Sequence, residues 1–155
     1  MSARTVLRNV PIPKPYLAAL ACGELLHRMR PLPFGGARSP RLPFGGVLVS
    51  CSVALTGWAL RATRDVDLEH PDHLVTTGPY ARGRNPMYVA WVLLATGVAL
   101  LRNSGWLLVS VPVAAALVHR DVLREERELA GQDPEAFRRY TAAVPRYLPR
   151  LKELR

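Results

Sequence analysis

Three long uncharged runs alternate with shorter charged segments along this chain. Residues 42–60 form a run of 19 residues without a charged side chain, and residues 86–101 and 103–118 form two further runs of 16 each, separated by Arg102. A membrane-spanning helix needs about 20 apolar residues, with a lower limit of about 17. Flanking Arg, Tyr and Trp side chains can extend the two shorter runs to the membrane surface. The pattern therefore predicts an all-α, polytopic membrane helical bundle with three spans.

A further apolar segment, residues 16–29, precedes these runs and contains Glu24 and His27. It is predicted to form either a fourth span with one polar face or a helix that lies in the membrane interface. The sequence leaves this choice open. A soluble helical hairpin is the competing interpretation of the three runs, but burying all of them would need a larger polar shell than 155 residues supply.

The length of the chain predicts one integral membrane domain over residues 1–155. Residues 1–64 would contribute the N-terminal helices, and residues 65–155 would contribute the catalytic part. The net charge is +9. Because the basic residues flank the apolar runs and do not form one continuous patch, we expect no binding of nucleic acid.

The distribution of basic residues predicts which side of the membrane carries the polar segments. If the three runs span, residues 61–85 and 119–155 emerge on the same side, where they hold 13 Lys and Arg residues against one Arg in the opposite turn. The positive-inside rule makes that side cytoplasmic. If residues 16–29 also span, four Arg residues between positions 28 and 41 would lie on the outer side, against the rule.

The first polar segment contains turn residues that bring backbone N–H groups close to a ligand. Gly78-Pro79 and Gly83 permit tight turns, and Asn85-Pro86 precedes the next helix, where Pro suits the first helical position. A tight loop that ends at a helix N-terminus favours anion binding, and Arg84 lies beside it. An ordinary membrane-surface loop has a similar composition, so this pattern alone does not identify a ligand-binding site.

Two adjacent glutamates follow the last apolar run, on a helix predicted to continue to about residue 130. The i, i+4 spacing places Glu125 on one face with Asp121, and Glu126 lies next to it. A solvated face with local ion pairs explains them equally well. However, residues 120–126 and 80–88 flank the same antiparallel helix pair, so we expect them to lie close together. A carboxylate, an Arg and turn amides would then form a small-molecule pocket.

Four short motifs follow one another in the second half of the chain. They are Leu74-Val75-Thr76-Thr77-Gly78-Pro79-Tyr80, Arg84-Asn85-Pro86-Met87-Tyr88, Glu125-Glu126-Arg127-Glu128-Leu129 and Val144-Pro145-Arg146-Tyr147-Leu148-Pro149. Together they resemble the C-terminal signature of the isoprenylcysteine carboxyl methyltransferase and phospholipid methyltransferase family. The resemblance implies an integral membrane enzyme that uses S-adenosylmethionine. It further implies methyl transfer to a lipophilic acceptor, isoprenylcysteine-carboxylate-like or phospholipid-like, at the cytosolic membrane face.

The resemblance also implies roles for residues at the matching positions. The predicted cofactor-binding residues are His73, Leu74, Val75, Tyr80, Arg84, Asn85, Pro86, Met87, Tyr88 and Glu125. Of these, Arg84 is included because the cofactor carboxylate needs a cationic or N–H partner. The family usually has His at the position of Asn85. An Asn amide can still donate and accept hydrogen bonds, but it cannot titrate.

Two catalytic residues are predicted, Arg120 and Glu126. In the family, a basic residue about one turn before the glutamates faces the methyl acceptor, and Arg124 is the alternative to Arg120 for this role. No metal is required for transfer from a sulfonium, and no metal site is predicted. His70 and His73 are interpreted as loop residues and not as metal ligands.

Two other functions remain open at this point. Some membrane sterol or enone reductases carry a similar C-terminal signature, so the chain could bind NADPH in place of the methyl donor. A non-catalytic membrane subunit that kept the fold is the third interpretation, and Asn85 is its support in the sequence. Binding of NADPH, or of neither cofactor, would distinguish these alternatives from a methyltransferase.

Overall fold

The computed structural model of the protein describes residues 13–36, 40–63 and 75–148. Within these ranges the chain is helical and contains no strand. The α-helices in chain order are α1 (Lys14–Met29), α2 (Arg41–Ala62), α3 (Pro86–Arg102), α4 (Gly105–Gln132) and α5 (Pro134–Ala143), and one 3-10 helix covers Gly78–Ala81. The predicted all-α class is confirmed.

The helices α2 and α3 contain the apolar runs at residues 42–60 and 86–101, and α4 contains all but the first two residues of the run at 103–118. By length and composition, α2 with 22 residues and α4 with 28 residues could each cross a membrane. The apolar helix α3 has 17 residues, at the lower limit for a span of about 17. The number of spans therefore stays a prediction.

Proline and turn residues set several of the helix boundaries. Pro86 begins α3, as the Asn85-Pro86 pair predicts. α4 and α5 are separated at Asp133, whose side chain accepts a 2.9 Å hydrogen bond from the N–H of Ala136 and so caps α5. Between α3 and α4, Asn103 adopts a left-handed conformation with φ of 51°, which Asn tolerates better than most residues.

The chain divides into two compact units. Among the described residues, the helical unit contains residues 13–36, 40–54 and 90–120. The loop unit contains residues 55–63, 75–89 and 121–148.

In the helical unit, α2 and α3 run antiparallel and pack closely. The hydroxyl of Ser52 donates a 2.7 Å hydrogen bond to the carbonyl oxygen of Ala90. Further along the pair, a Cβ added to Gly45 would lie 3.0 Å from the carbonyl oxygen of Gly97, and a Cβ added to Gly97 would lie 2.9 Å from that of Gly45. Glycine at both positions therefore allows the two backbones to approach.

The first helix, α1, runs parallel to α3. The rings of Tyr16 and Trp91 stack with their centroids 6.2 Å apart. Further along both helices, Glu24 forms a 2.6 Å ion pair with Arg102. The 16 residues of α1 rise about 24 Å at 1.5 Å per residue. α1 therefore follows most of the length of α3.

The segment after α1 is held by the turn between α3 and α4. The side-chain oxygen of Asn103 accepts hydrogen bonds from the N–H groups of Phe34 and Gly35, at 3.2 and 3.0 Å, and its amide nitrogen donates to the carbonyl oxygen of Gly35 at 2.9 Å. The N–H of Gly105 donates a 2.7 Å bond to the carbonyl oxygen of Leu32. These bonds fix the end of α1 in the helical unit.

Candidate active site

The candidate site lies in the loop unit, which contains the 3-10 helix, the first turn of α3, the second half of α4 and the segment after α5. The 3-10 helix packs on the end of α2. Gly78 has φ of +60°, and a Cβ there would lie 2.9 Å from the Cβ of Ala62. The guanidinium of Arg82 lies 5.1 Å from the centroid of the Trp58 ring, in a cation–π contact. The tight turn predicted at Gly78-Pro79 is confirmed.

Two tyrosines connect this turn to α5. The hydroxyl of Tyr140 donates a 2.7 Å hydrogen bond to the carbonyl oxygen of Tyr80. Burial raises the pKa of Tyr80 to about 12, and the negative charge of Glu125 adds to the effect. Burial also raises the pKa of Tyr140.

The segment after α5 lies directly on the loop that precedes α3. The N–H of Arg84 donates a 3.0 Å hydrogen bond to the carbonyl oxygen of Pro145, and the N–H of Asn85 donates a 3.1 Å bond to that of Arg146. A Cβ added to Gly83 would collide with the carbonyl oxygen of Tyr147. Glycine at position 83 is therefore required for this close approach.

The carboxylate of Glu126 is the centre of a polar network between these two segments. Arg146 donates to it from Nε at 3.1 Å and from a terminal nitrogen at 2.8 Å. Arg84 forms a second ion pair with it at 3.1 Å, and the side chains of Glu126 and Arg84 are only 12% and 10% exposed. The hydrogen bond to Glu126 raises the pKa of Arg146. Glu126 is thus the counter-ion of two arginines, and its catalytic role stays a prediction.

The adjacent Glu125 makes a different contact. Its carboxylate accepts a 2.7 Å hydrogen bond from the hydroxyl of Tyr88, in the first turn of α3. One turn earlier on α4, Asp121 pairs with Arg124 at 3.3 Å, and Arg124 also lies 4.0 Å from Glu128. The expected proximity of the loop and the glutamates is confirmed by the Tyr88–Glu125 and Arg84–Glu126 contacts.

Arg84 has an unused hydrogen-bond donor. Its Nε is buried and has no hydrogen-bond partner within the described part of the chain. The guanidinium carbon lies 6.0 Å from the centroid of the Phe137 ring. A buried N–H of a cationic group that lacks a partner favours a ligand with an anionic oxygen at this place.

The other predicted site residues differ in burial, and two of them lie outside the described residues. Pro86 and Met87 are buried in the first turn of α3, and Val75 is half-buried before the 3-10 helix. Arg120 is exposed on α4 and belongs to the helical unit. The predicted residues His73 and Leu74, together with His70, lie outside the described residues. No group of three or more His, Cys, Asp or Glu among the described residues could hold a metal ion.

Sequence reasoning assigned no role to Tyr140 or Arg146, which the structure brings to this site. The motif at residues 144–149 contains Arg146 and could have indicated that this residue belongs to the site. Nothing in the motif, however, identified which side chain Arg146 would contact.

These observations define a helical protein with helices of membrane-spanning length and a polar site built from four segments. A sequence model of the phospholipid methyltransferase family matches residues 42–131. This match covers more than half of the 155 residues, and the chain belongs to that family.

Two curated relatives carry names that refer to metal resistance. The chain is 34% identical over 82 residues to the nickel-cobalt-cadmium resistance protein NccN of Alcaligenes xylosoxydans xylosoxydans, covering 53% of this chain and 38% of the relative. It is 38% identical over 79 residues to the cobalt-zinc-cadmium resistance protein CzcN of Cupriavidus metallidurans, covering 50% and 36%. The similarity thus spans less than two fifths of each relative. No solved structure matches the chain significantly.

Proposed function

We propose that the protein is an S-adenosylmethionine-dependent membrane methyltransferase that acts on a lipophilic acceptor, isoprenylcysteine-carboxylate-like or phospholipid-like. The matching family is one of methyltransferases. The observation that carries the proposal is the meeting of the family-like motifs in one unit, where Tyr88 contacts Glu125 at 2.7 Å and Arg84 contacts Glu126 at 3.1 Å. These motifs are separated by more than 30 residues of sequence, so their contact is a property of the fold.

The residues of the loop unit fit the polar groups of S-adenosylmethionine. The unpartnered Nε of Arg84 would donate to the cofactor carboxylate. Glu125 and the hydroxyl of Tyr88 would bind its ammonium group or ribose hydroxyls. The remaining proposed cofactor-binding residues are His73, Leu74, Val75, Tyr80, Asn85, Pro86 and Met87.

The cofactor, when bound, supplies a methyl group already activated by the positive sulfonium. The residues of the chain then have to align the acceptor with this methyl group and exclude water. Arg120 on α4 is proposed to face the acceptor. Glu126 is the second proposed catalytic residue, and its two arginine contacts indicate that it acts by holding other groups in place.

The membrane arrangement proposed with this function has α2, α3 and α4 as spans within one integral membrane domain, residues 1–155, with α1 either as a fourth span or as a helix in the membrane interface. α3 is short but packs antiparallel to α2, and α1 runs parallel to α3, as a fourth span would. Two of the arginines that opposed the positive-inside rule have local partners. Arg28 pairs with Glu24 at 3.0 Å, and Arg41 donates to the carbonyl oxygen of Leu101 at 3.4 Å. The polar segments are proposed to face the cytoplasm.

Calorimetric titration of the detergent-purified protein with S-adenosylhomocysteine, and separately with NADPH, tests this function. We expect micromolar binding of S-adenosylhomocysteine, loss of that binding in Glu125→Ala, and no binding of NADPH. Arg139→Ala is the matched control, because Arg139 forms an exposed pair with Glu135 away from these contacts. Binding of NADPH alone would favour the reductase, and binding of neither ligand would favour the non-catalytic subunit.

A further inference from the structure

We infer that Glu126 is a positioning residue that clamps residues 144–147 onto residues 83–85, and that this clamp shapes the cofactor site. The cofactor part of this inference rests on the proposed function. The clamp itself uses Arg146, which lies beyond residue 131, where the family match ends.

One carboxylate joins three parts of the chain. Glu126 lies on α4, Arg84 precedes α3, and Arg146 follows α5. Arg146 binds both oxygens of this carboxylate, with its Nε 3.1 Å from Oε1 and a terminal nitrogen 2.8 Å from Oε2, in the forked geometry that fixes the orientation of both groups. Because the side chains of Glu126 and Arg84 are only 12% and 10% exposed, losing Glu126 would leave a largely buried Arg84 without its counter-ion.

Asn85 is part of the same clamp. Its side-chain nitrogen donates a 3.2 Å hydrogen bond to the carbonyl oxygen of Arg146 and lies 3.5 Å from Oε1 of Glu126. An amide nitrogen carries two N–H groups and can serve both acceptors, whereas one imidazole nitrogen carries a single N–H. Asn85, at the position where the family usually has His, is therefore suited to bind the carbonyl oxygen of Arg146 and the carboxylate of Glu126 at the same time. This role does not require a side chain that titrates.

The two adjacent glutamates divide their roles. With 3.6 residues per turn, consecutive side chains on a helix point about 100° apart. Glu125 binds the hydroxyl of Tyr88, and Glu126 binds Arg84 and Arg146. Arg84 lies two residues before the start of α3, whose first turn carries Tyr88, so holding Arg84 also restrains Tyr88. Glu126 thus acts on the cofactor through Arg84 and Tyr88.

Hydrogen exchange of the cofactor-free protein tests the clamp without depending on any activity. We expect Glu126→Gln and Arg146→Ala each to accelerate exchange in peptides covering residues 80–88 and 140–148. The control Arg139→Ala should leave this exchange unchanged. Unchanged exchange in both Glu126→Gln and Arg146→Ala would overturn the clamp.

Titration with S-adenosylhomocysteine tests the positioning role on the same variants. In metal sites, partners that orient a binding group typically contribute about 10- to 100-fold in affinity, and we expect a loss of about tenfold in Glu126→Gln and in Arg146→Ala. The double variant should bind no more weakly than the weaker single variant, and Arg146→Lys should recover part of the loss because it keeps the charge without the fork.

Each other outcome has a defined meaning. Weaker binding by Glu126→Gln with normal exchange would show that Glu126 contacts the cofactor directly and would overturn the inference. Faster exchange with normal affinity would leave the clamp without a positioning role and would also overturn it. If the unaltered protein binds no S-adenosylhomocysteine, the proposed function fails and the positioning role with it, while the exchange experiment still decides whether the clamp exists.

Discussion

Among the described residues, Glu126 in the loop unit and Glu24 in the helical unit are each bound by two arginines. Glu24 is 24% exposed, and its partners Arg28 and Arg102 are 73% and 52% exposed. The side chains of Glu126 and Arg84 are only 12% and 10% exposed, and Arg146 is half-buried. The same chemistry therefore occurs in two different environments.

The difference between the two sites indicates different roles. Arg28 is one turn from Glu24 on the same helix, so that pair needs no tertiary contact, while Arg102 joins α1 to α3. At Glu126, both arginines come from outside α4 and carry backbone segments with them. Removing one partner of a buried pair leaves an uncompensated charge, whereas removing one partner of an exposed pair leaves a hydrated one. We therefore expect Glu126 to affect both folding and the site, and Glu24 to affect mainly the packing of α1.

The largest effect is expected for Glu126→Ala. Loss of the carboxylate leaves Arg84 buried without its counter-ion, which typically lowers the free energy of unfolding by about 3–5 kcal/mol. Reversible unfolding in detergent, followed by circular dichroism, measures this change. A loss no greater than that of Glu24→Ala would contradict the contrast between the two carboxylates.

Gly83→Ala should rank second. The added Cβ would collide with the carbonyl oxygen of Tyr147 and force residues 144–147 away from the loop, at an expected cost of about 1–3 kcal/mol in the free energy of unfolding. Affinity for S-adenosylhomocysteine should fall as well. Gly131→Ala is the matched control, because a Cβ on Gly131 meets nothing within 4 Å. Equal behaviour of the two variants would show that residues 144–147 do not hold the loop.

Much of the helical fold follows from the sequence because its signals are local. The uncharged runs at residues 42–60 and 86–101 lie within α2 and α3, and Pro86 begins α3 where the sequence places it. The course of α1 along α3 could not be predicted in the same way. It depends on the Tyr16–Trp91 stack and on the bonds of Asn103, which join residues more than 60 positions apart.

The candidate site was predictable only in part, for a similar physical reason. The motifs identified Tyr88 and Glu125, and the antiparallel helix pair predicted that they would meet. The docking of residues 144–147 relies on backbone bonds such as that from the N–H of Arg84 to the carbonyl oxygen of Pro145. Backbone groups are present at every residue and leave no pattern in the sequence. Arg146, one of 19 arginines, could therefore not be distinguished as the partner of Glu126.

Glu24→Gln should have a smaller effect and should leave affinity for S-adenosylhomocysteine unchanged. The variant loses the charge that binds Arg28 and Arg102 but keeps a side chain of the same size. We expect α1 to pack less tightly, measured as faster hydrogen exchange in peptides covering residues 14–29, with the peptides covering residues 80–88 as the internal reference. A loss of affinity equal to that of Glu126→Gln would show that the two clusters are not independent.

The smallest effect is expected for Arg139→Ala. This variant shows how much the loss of one exposed arginine changes the free energy of unfolding, for comparison with the variants at Glu126 and Glu24. Arg139 forms a 2.8 Å pair with Glu135 on α5, and the two side chains are 69% and 71% exposed. Pairs of this kind, four residues apart on an exposed helix surface, contribute about 0.3–0.5 kcal/mol, because solvent screens the charges and ordering two long side chains opposes the gain. The free energy of unfolding and the affinity for S-adenosylhomocysteine should both match those of the unaltered protein within that margin. A larger loss would mean that Arg charges on the loop unit stabilise it collectively, and the effect of Arg146 could then no longer be assigned to its contact with Glu126.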